Sequence, residues 1–310
     1  MKTAFLFSGQ GAQYQGMGQS LYNTEAIVKE TFEEASQALG YDMAKLCFEE
    51  NPQLNQTEYT QPAILTVSVA FHRLLASENF SADIVAGLSL GEYSALVASG
   101  VLDFSAAVQL VSKRGKFMSE AAPSGIGKMV AVMNAPVEVI EECCQKASDL
   151  GIVAPANYNT PQQIVIGGEV VAVDEAMRLL KEAGIKRMIP LNVSGPFHTQ
   201  LLEPAAKNLE AVLTDVSFSE PKIPIISNTT AKIMPYDQMK ELLRRQVMSP
   251  VRFYESIETM KELGVTRVVE IGPGKVLSGF IKKIDSSIAI SRVEDAETFV
   301  QTKEFLVGGN

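Results

Sequence analysis

The feature that most restricts the fold of this chain is an apolar run that passes through a glycine-flanked serine into a helix-like run. Residues 82–87 read ADIVAG, the following turn is Gly87-Leu88-Ser89-Leu90-Gly91, and EYSALVASG continues with helical spacing. A serine on a sharp strand-to-helix turn has strained backbone angles, and the flanking glycines let neighbouring chain approach without a Cβ clash. Because strands that lead directly into helices build a mostly parallel sheet covered by helices, this feature predicts an α/β fold.

The segments on either side extend the same pattern. Residues 3–9 (TAFLFSG), 223–227 (IPIIS) and 267–272 (RVVEIG) are predicted to be buried strands. Helical periodicity predicts helices over Ala26–Leu39, Ala63–Leu75, Ser105–Met118, Gln200–Leu213 and Ser256–Leu263.

The middle of the chain has a different order of elements. Strands are predicted at Met129–Met133, Ile152–Ala156, Gln163–Ile166 and Lys186–Val193, with helices at Val137–Ala147 and Val173–Ala183. This β-α-β-β-α-β order is that of a ferredoxin-like unit. The sequence therefore predicts a large α/β-hydrolase-like domain over residues 1–127 and 195–310. A small ferredoxin-like domain over residues 128–194 would be inserted into it.

Composition excludes several classes of protein. The 27 Lys and Arg residues are outnumbered by 36 Asp and Glu residues, and this charge does not suit a general nucleic-acid binder. The longest apolar window, Ala63–Phe71, is less than half of the roughly 20 residues that span a bilayer. The apolar run TAFLF after Lys2 is too short for the core of a signal peptide, which needs about 7–15 residues. Three cysteines, two of them adjacent, predict no disulfide framework and a reducing cytoplasm.

A nucleophilic serine needs a general base, and the chain offers only His72 and His198 for that task. His72 lies inside a predicted amphipathic helix, where a partly buried helix histidine is expected. His198 lies between a strand end and a helix start, the position that faces the nucleophile turn in an α/β sheet, and it follows the serine in the chain. His198 is therefore the candidate base. The sequence does not identify an acid that would orient it, since Asp103 and several glutamates are available.

Two glycine-rich turns resemble nucleotide-binding motifs but do not match them. In GQGAQYQGMG, Tyr14 stands where a dinucleotide fingerprint needs its third glycine, and GPGK at 272–275 lacks the Walker spacing. The first turn is better suited to present the backbone N–H of Gln10 to an oxyanion. The alternative for the whole Ser89 region is a glycine-rich turn with an incidental serine.

Several motifs in order resemble the bacterial malonyl-CoA:acyl-carrier-protein transacylases, members of the acyltransferase-domain family. The matching segments are FSGQGAQYQGMG at the start, YTQPAIL at 59–65, GLSLGEYSALVASG around Ser89, KRGKFM at 113–118, PANYNTPQQIVIGG at 155–168, GPFH at 195–198, RRQVMSPVRF at 244–253 and EIGPGKVLSGFIKK at 270–283. The resemblance covers the chain nearly from end to end.

The resemblance implies a role for six residues. Ser89 would be the acyl-accepting nucleophile and His198 its base, oriented by the backbone carbonyl of Gln246. The resemblance also implies that Gln10 and Leu90 provide N–H groups to the oxyanion hole, and that Arg114 holds the free carboxylate of the malonyl group. Without the resemblance, Arg114 would be interpreted as a solvated helix arginine beside Lys113 and Lys116.

The implied activity is ping-pong transfer of a malonyl group from malonyl-CoA to acyl carrier protein, in the service of fatty acid biosynthesis. It requires neither a metal nor a redox cofactor. Phe197, next to the base, is expected to fill the space that an α-methyl group needs and so to favour malonyl over methylmalonyl. Two positions depart from the family pattern, Leu88 where a histidine is frequent and Ser8 where a proline is common.

Partners and alternatives follow from the same residues. The carrier protein would dock on a local cationic patch, and the candidates are Lys181, Lys186 and Arg187, or Arg244 and Arg245, although scattered solvated charges are an equal alternative. A monomer is the default expectation. The alternative enzyme is a serine esterase or thioesterase with the same nucleophile turn, and the alternative outside catalysis is a carrier-binding subunit on this fold.

Overall fold

A computed structural model describes residues 1–193 and 195–308 of the chain. These residues form the strands β1 (Lys2–Phe7), β2 (Ile84–Gly87), β3 (Gly127–Met133), β4 (Val153–Thr160), β5 (Gln163–Glu169), β6 (Met188–Pro190), β7 (Val265–Ile271) and β8 (Ala289–Val293). Their helices are α1 (Gln19–Thr24), α2 (Ala26–Leu39), α3 (Met43–Phe48), α4 (Thr57–Ser77), α5 (Gly91–Ala98), α6 (Phe104–Ala121), α7 (Val137–Ala147), α8 (Val170–Glu182), α9 (Glu203–Thr214), α10 (Met239–Gln246), α11 (Phe253–Glu262), α12 (Val276–Ile284) and α13 (Ala296–Val307). Within the described residues, no helix combines the length and apolar character needed to cross a bilayer.

The first sheet is parallel and has the strand order β2-β1-β7-β8. Side chains of its central strand β1 alternate between two buried clusters, because successive residues of a strand point to opposite faces. Phe5 and Phe7 pack into the cluster formed largely by α2, α4, α5 and α6, while Ala4 and Leu6 pack into the one formed with α11 and α12. Both faces are therefore covered by helices, as the sequence predicted for a mostly parallel sheet.

The register of this sheet brings three turns to one edge. Phe7 at the end of β1 is paired with Gly87 at the end of β2 and with Ile271 at the end of β7. Since the three strands are parallel, the turns that follow them leave the sheet side by side. These turns carry Gln10, Ser89 and Pro273.

The second sheet is antiparallel, with the order β4-β5-β3-β6, and α7 and α8 pack against it. This order and the β-α-β-β-α-β sequence of elements confirm the predicted ferredoxin-like unit. The predicted division at residues 127/128 and 194/195 stays a prediction, and its boundary residue Ser194 lies outside the described residues.

One predicted strand is shorter than expected. IPIIS contributes only two isolated bridges, one to Val85 and one to Ile233. In the first, the Val85 N–H donates to Pro224 O at 2.9 Å and the Ile226 N–H donates to Val85 O at 3.0 Å. The chain then turns, and the N–H of Asn228 donates to the carboxyl group of Glu92 instead of to a neighbouring strand. Pairing therefore ends where the segment enters the site.

Candidate active site

The serine turn requires both of its glycines. Ser89 has a φ of 54°, in the left-handed region, and α5 begins two residues later at Gly91. A Cβ at Gly87 would lie 2.0 Å from the carbonyl carbon of Gly91, and a Cβ at Gly91 would lie 2.1 Å from the oxygen of Phe7. Neither position has room for a side chain, so the GxSxG spacing follows from the close packing of α5 on β1 and β2.

His198 lies beside the serine. Its Nε2 is 2.8 Å from Ser89 Oγ, and its Nδ1 is 2.8 Å from the backbone oxygen of Gln246. A carbonyl oxygen can only accept, so Nδ1 carries the proton and Nε2 has a free lone pair toward the serine hydroxyl. Burial, together with the charge of Arg114, lowers the pKa of His198 to about 4. The imidazole is therefore neutral at pH 7 and able to accept a proton.

The other candidates from the sequence are elsewhere. His72 lies on α4 with its ring edge-on to Phe5 and Phe7, at centroid distances of 6.3 and 6.0 Å. Asp103 accepts the Ala106 N–H and caps α6. The position that an acid fills in other serine enzymes is occupied here by the Gln246 carbonyl.

Arg114 is buried, in contrast to the solvated arginine that its sequence neighbours suggest. Its side chain is held by Nη1 donating to Gln61 Oε1 at 2.8 Å and Nη2 donating to Gln246 Oε1 at 2.8 Å and Ser89 Oγ at 3.2 Å. The guanidinium also lies over the Tyr93 ring, 5.2 Å from its centroid. Burial lowers the pKa of Arg114 from its usual value. Arg114 thus lies within hydrogen-bond distance of the candidate nucleophile.

Two backbone N–H groups near the serine are free to bind an oxyanion. Within residues 1–193 and 195–308, the N–H groups of Gln10 and Leu90 donate to no other protein group. The Gln10 side chain is fixed by a hydrogen bond to Thr57 Oγ1 at 3.1 Å and one from Gln61 Nε2 at 3.3 Å. A Cβ at Gly9 would lie 2.3 Å from Leu88 O, which shows how closely the two turns pack.

The structure adds a residue that the sequence reasoning missed, Asn228. Its Oδ1 accepts the Ser89 N–H at 2.7 Å and its Nδ2 donates to Gly87 O at 2.6 Å, so one side chain holds the turn on both sides of Leu88. Glu92 Oε2 in turn accepts the Asn228 N–H at 2.6 Å. Asn228 follows IPIIS directly, and the carboxyl end of a predicted strand is a signal that could have identified it.

Gln61 and the side chain of Gln246 were also missed. Gln246 Nε2 donates to Ser89 O at 2.9 Å, while its Oε1 accepts from Arg114. Gln61 makes the corresponding link between Arg114 and Gln10. Each of these two glutamines therefore joins the arginine to a turn at the sheet edge.

A cleft of about 570 Å³ opens above these groups. Ser89, Phe197 and His198 line it together with Val165 from the antiparallel sheet and Phe280 from α12. Phe197 is 7% exposed and packs with Met118 and Met129. The cleft is large enough for an acyl group and the end of a pantetheine arm.

The two departures from the family pattern have different surroundings. Ser8 Oγ donates to Pro273 O at 3.0 Å and so joins the turn after β1 to the turn after β7. Leu88 lines the cleft and packs against the cluster around Ala4 and Leu6. Among the described residues, no group of three or more His, Cys, Asp or Glu side chains is arranged to hold a metal ion.

Known proteins resemble this chain over nearly its whole length. A family model described as "Acyl transferase domain" matches residues 4–299. The chain is 45% identical to the malonyl CoA-acyl carrier protein transacylase of Bacillus subtilis over 97% of each chain. It is 62% identical to the crystal structure of MCAT from Streptococcus pneumoniae, with a TM-score of 0.96 and coverage of 98% of this chain and 100% of that one.

A further solved structure holds a partner. It is a malonyl-transacylase in complex with a type II PKS acyl-carrier protein, 40% identical, with a TM-score of 0.95 and coverage of 98% of this chain and 100% of that chain. Matches of this length and identity show that the chain, whose structure brings Ser89, His198 and Arg114 together, belongs to the acyl transferase domain family, among the malonyl CoA-acyl carrier protein transacylases.

Proposed function

We propose that this enzyme moves a malonyl group from malonyl-CoA to the phosphopantetheine thiol of acyl carrier protein, through an ester on Ser89, and so supplies fatty acid biosynthesis. One observation carries the proposal. Ser89 Oγ lies 2.8 Å from a neutral imidazole nitrogen and 3.2 Å from a guanidinium nitrogen of Arg114. The first neighbour can remove the proton of the nucleophile, and the second can hold an anionic acyl tail.

The first half-reaction forms the acyl-enzyme. His198 Nε2 takes the proton of Ser89 Oγ as the oxygen attacks the thioester carbonyl carbon. The negative charge on the carbonyl oxygen is stabilised by the N–H groups of Gln10 and Leu90. The C–S bond then breaks, and the departing CoA sulfur takes the proton from His198.

The second half-reaction reverses these steps with a different thiol. The pantetheine thiol of the carrier gives its proton to His198, and its sulfur attacks the ester carbonyl carbon. The C–O bond to Ser89 breaks, and the serine oxygen recovers the proton from His198. Because the donor and the product are both thioesters, the transfer is close to thermoneutral and runs in either direction.

Arg114 and Phe197 would select the acyl group. The guanidinium fork suits a carboxylate that must be held in one orientation, and burial strengthens that interaction. Phe197 is adjacent to His198 in the cleft and takes up volume that a branched acyl chain needs. Together they favour malonyl over acetyl and over methylmalonyl.

The carrier protein would approach over the mouth of the cleft, guided by exposed cations. Arg244 is already paired with Glu241, which leaves Arg245 beside it, and Lys186 and Arg187 lie exposed just before β6. Alanine at Lys186 and Arg187 is expected to raise KM for the carrier and to leave KM for malonyl-CoA unchanged. We further propose that the enzyme works as a monomer in the cytoplasm. The three unpaired buried cysteines support the choice of compartment.

Radiolabelled malonyl-CoA tests the function directly. The enzyme is incubated with the label, digested and mapped, and then acyl carrier protein is added. We expect a stable ester on Ser89, absent in Ser89→Ala, that moves to the carrier. Release of the label to water would indicate a thioesterase, and no labelling at all would indicate a noncatalytic carrier-binding protein.

A further inference from the structure

The most unusual charge in the described part of the chain is that of Arg114. Its side chain is 1% exposed, and its hydrogen-bond acceptors are two amide oxygens and a hydroxyl, all of them neutral. No ion pair joins it to a carboxylate within residues 1–193 and 195–308. A buried cation without a counter-ion is costly, so the fold keeps this charge uncompensated at the expense of stability.

The carboxyl group that acts on this charge, that of Glu92, does not neutralise it through an ion pair. Glu92 is completely buried, and its Oε2 is used by the Asn228 N–H. Burial raises the pKa of Glu92 to about 8, so the carboxyl group is mostly protonated at pH 7. Arg114 Nε is itself buried and makes no hydrogen bond to a carboxylate among the described residues.

Gln61 is the side chain on which this arrangement depends. Its Oε1 accepts from Arg114 Nη1, and its Nε2 is directed to Gln10 Oε1 at 3.3 Å and to the Met118 sulfur at 3.3 Å. A glutamate has the same shape as a glutamine and would place a carboxylate oxygen at the same distance from the guanidinium. A half-turn of the Gln10 amide would then present its Nε2 to the second oxygen, in exchange for the hydrogen bond that this nitrogen donates to Thr57 Oγ1.

We infer that Gln61 is a specificity-determining residue, because its neutral amide fixes the Arg114 guanidinium without supplying the negative charge that the acyl carboxylate must bring. The inference rests on the proposed function and adds a second position to acyl selection. An internal carboxylate at residue 61 would occupy the fork and compete with malonyl, whereas a neutral acetyl group would lose nothing by it. Gln246 Oε1 holds the other side of the fork in the same neutral way.

The test compares acetyl and malonyl transfer in Gln61→Glu. Initial rates with malonyl-CoA and acetyl-CoA, acyl carrier protein as acceptor, give kcat/KM for both. We expect the malonyl/acetyl ratio to fall about 10- to 100-fold, the range for one hydrogen bond to a charged group, because malonyl transfer loses more than acetyl transfer. Equal losses on both acyl groups, or an unchanged ratio, would overturn the inference.

Two controls separate charge from shape. Gln61→Met removes the oxygen but adds no charge, and it should lower the ratio less than Gln61→Glu does. Gln109→Glu adds the same charge to an exposed position of α6, the helix that carries Arg114, and should leave the ratio unchanged. A drop in Gln61→Met as large as in Gln61→Glu would contradict the charge argument.

A second variant keeps the test independent of how well Gln61→Glu folds. Gln246→Glu replaces the other neutral oxygen and retains the backbone carbonyl that holds His198. It also loses the Nε2 donor to Ser89 O, which should lower both rates alike, so the malonyl/acetyl ratio is the readout and should fall in the same direction. Arg114→Ala distinguishes a failure of the inference about Gln61 from a failure of the proposed role of Arg114. If Arg114→Ala loses malonyl transfer selectively and neither glutamate variant does, the inference fails and the proposed function stands. If Arg114→Ala affects both acyl groups equally, the proposed role of Arg114 fails as well.

Discussion

Helices α6 and α8 each carry an arginine, and the two arginines differ in burial and in ion pairing. Arg178 on α8 is exposed and pairs with Glu175 at 2.7 Å and with Glu182 at 2.5 Å, one turn away on either side. Arg114 on α6 is buried and has only neutral partners. The exposed arginine has its counter-ions in its own helix, whereas the arginine proposed to bind the malonyl carboxylate has no paired carboxylate among the described residues.

The largest change is expected when the charge at Arg114 is removed. Arg114→Ala should lower kcat/KM for malonyl transfer by about 100-fold or more and spare acetyl transfer, because only the malonyl tail loses its partner. Steady-state rates with the two CoA esters measure this. A variant equally poor with both esters would show that Arg114 is structural.

A smaller loss of activity is expected when a buried amide that makes no hydrogen bond to Arg114 is removed. Asn228→Ala leaves the Ser89 N–H without its acceptor and frees the strained turn. We expect kcat to fall about 10- to 100-fold for both acyl groups, with little change in KM, since a misplaced nucleophile affects every substrate alike. If the malonyl/acetyl ratio moved as in Gln61→Glu, Asn228 would belong to acyl recognition instead.

The shape of the acyl group should affect kcat/KM less than its charge does. Phe197→Ser opens the wall beside His198 and is expected to relax malonyl/methylmalonyl discrimination by roughly 1–3 kcal/mol, the worth of one methyl group in a pocket. The ratio of kcat/KM for the two CoA esters is the measurement. An unchanged ratio would mean that another side chain excludes the α-methyl group.

The pH profile should be nearly flat where an ordinary histidine titrates. With the pKa of His198 lowered to about 4, the base stays neutral above that pH and is lost as the pH falls through it. We expect kcat/KM to change little from about one pH unit below to about one pH unit above the usual histidine pKa of about 6.5. A twofold fall in kcat/KM near pH 6.5 would contradict this expectation, because it would show that His198 titrates like a histidine in contact with water.

The same lowered pKa affects stability. The unfolded chain binds a proton on His198 near its usual value, whereas the folded chain does so only near pH 4. Stability on this account is fully present above the unfolded value and declines as the pH falls from there toward 4. The His198→Gln variant should show a weaker decline over this window in urea titrations.

The smallest effect is expected at the contrasting arginine. Arg178→Ala removes an exposed pair from α8, and exposed pairs contribute little to stability or function. Its kcat/KM for malonyl-CoA and its Tm should match those of the unmodified enzyme. A marked loss of carrier-dependent rate alone would instead assign Arg178 to the docking surface.

Much of the fold was predictable because burial leaves a pattern in the sequence. Strands β1, β2 and β7, the βαββαβ order and the serine turn followed from apolar runs and glycine spacing. Strand β8 was not predicted, and the predicted strand IPIIS is not a strand of the sheet. The same pattern also indicates that Arg114 is buried. Val111, Gly115 and Met118 are all buried on one face of α6, and residue 114 falls on that face.

The amide network was not predictable in the same way. Gln61, Asn228 and the Gln246 side chain are uncharged polar groups whose burial depends on partners distant in the chain. Such residues have no periodicity of their own, and their spacing carries no chemistry until the fold brings them together. His198 could be identified only because the chain has two histidines and one of them follows a strand.

A crystal structure of the malonyl-enzyme tests the central claim most directly. The account predicts an ester on Ser89 Oγ with its free carboxylate within hydrogen-bond distance of the Arg114 guanidinium, while Gln61 still accepts from Nη1. A carboxylate turned toward solvent or held by another cation, with Arg114 still bound only to its neutral partners, would contradict it.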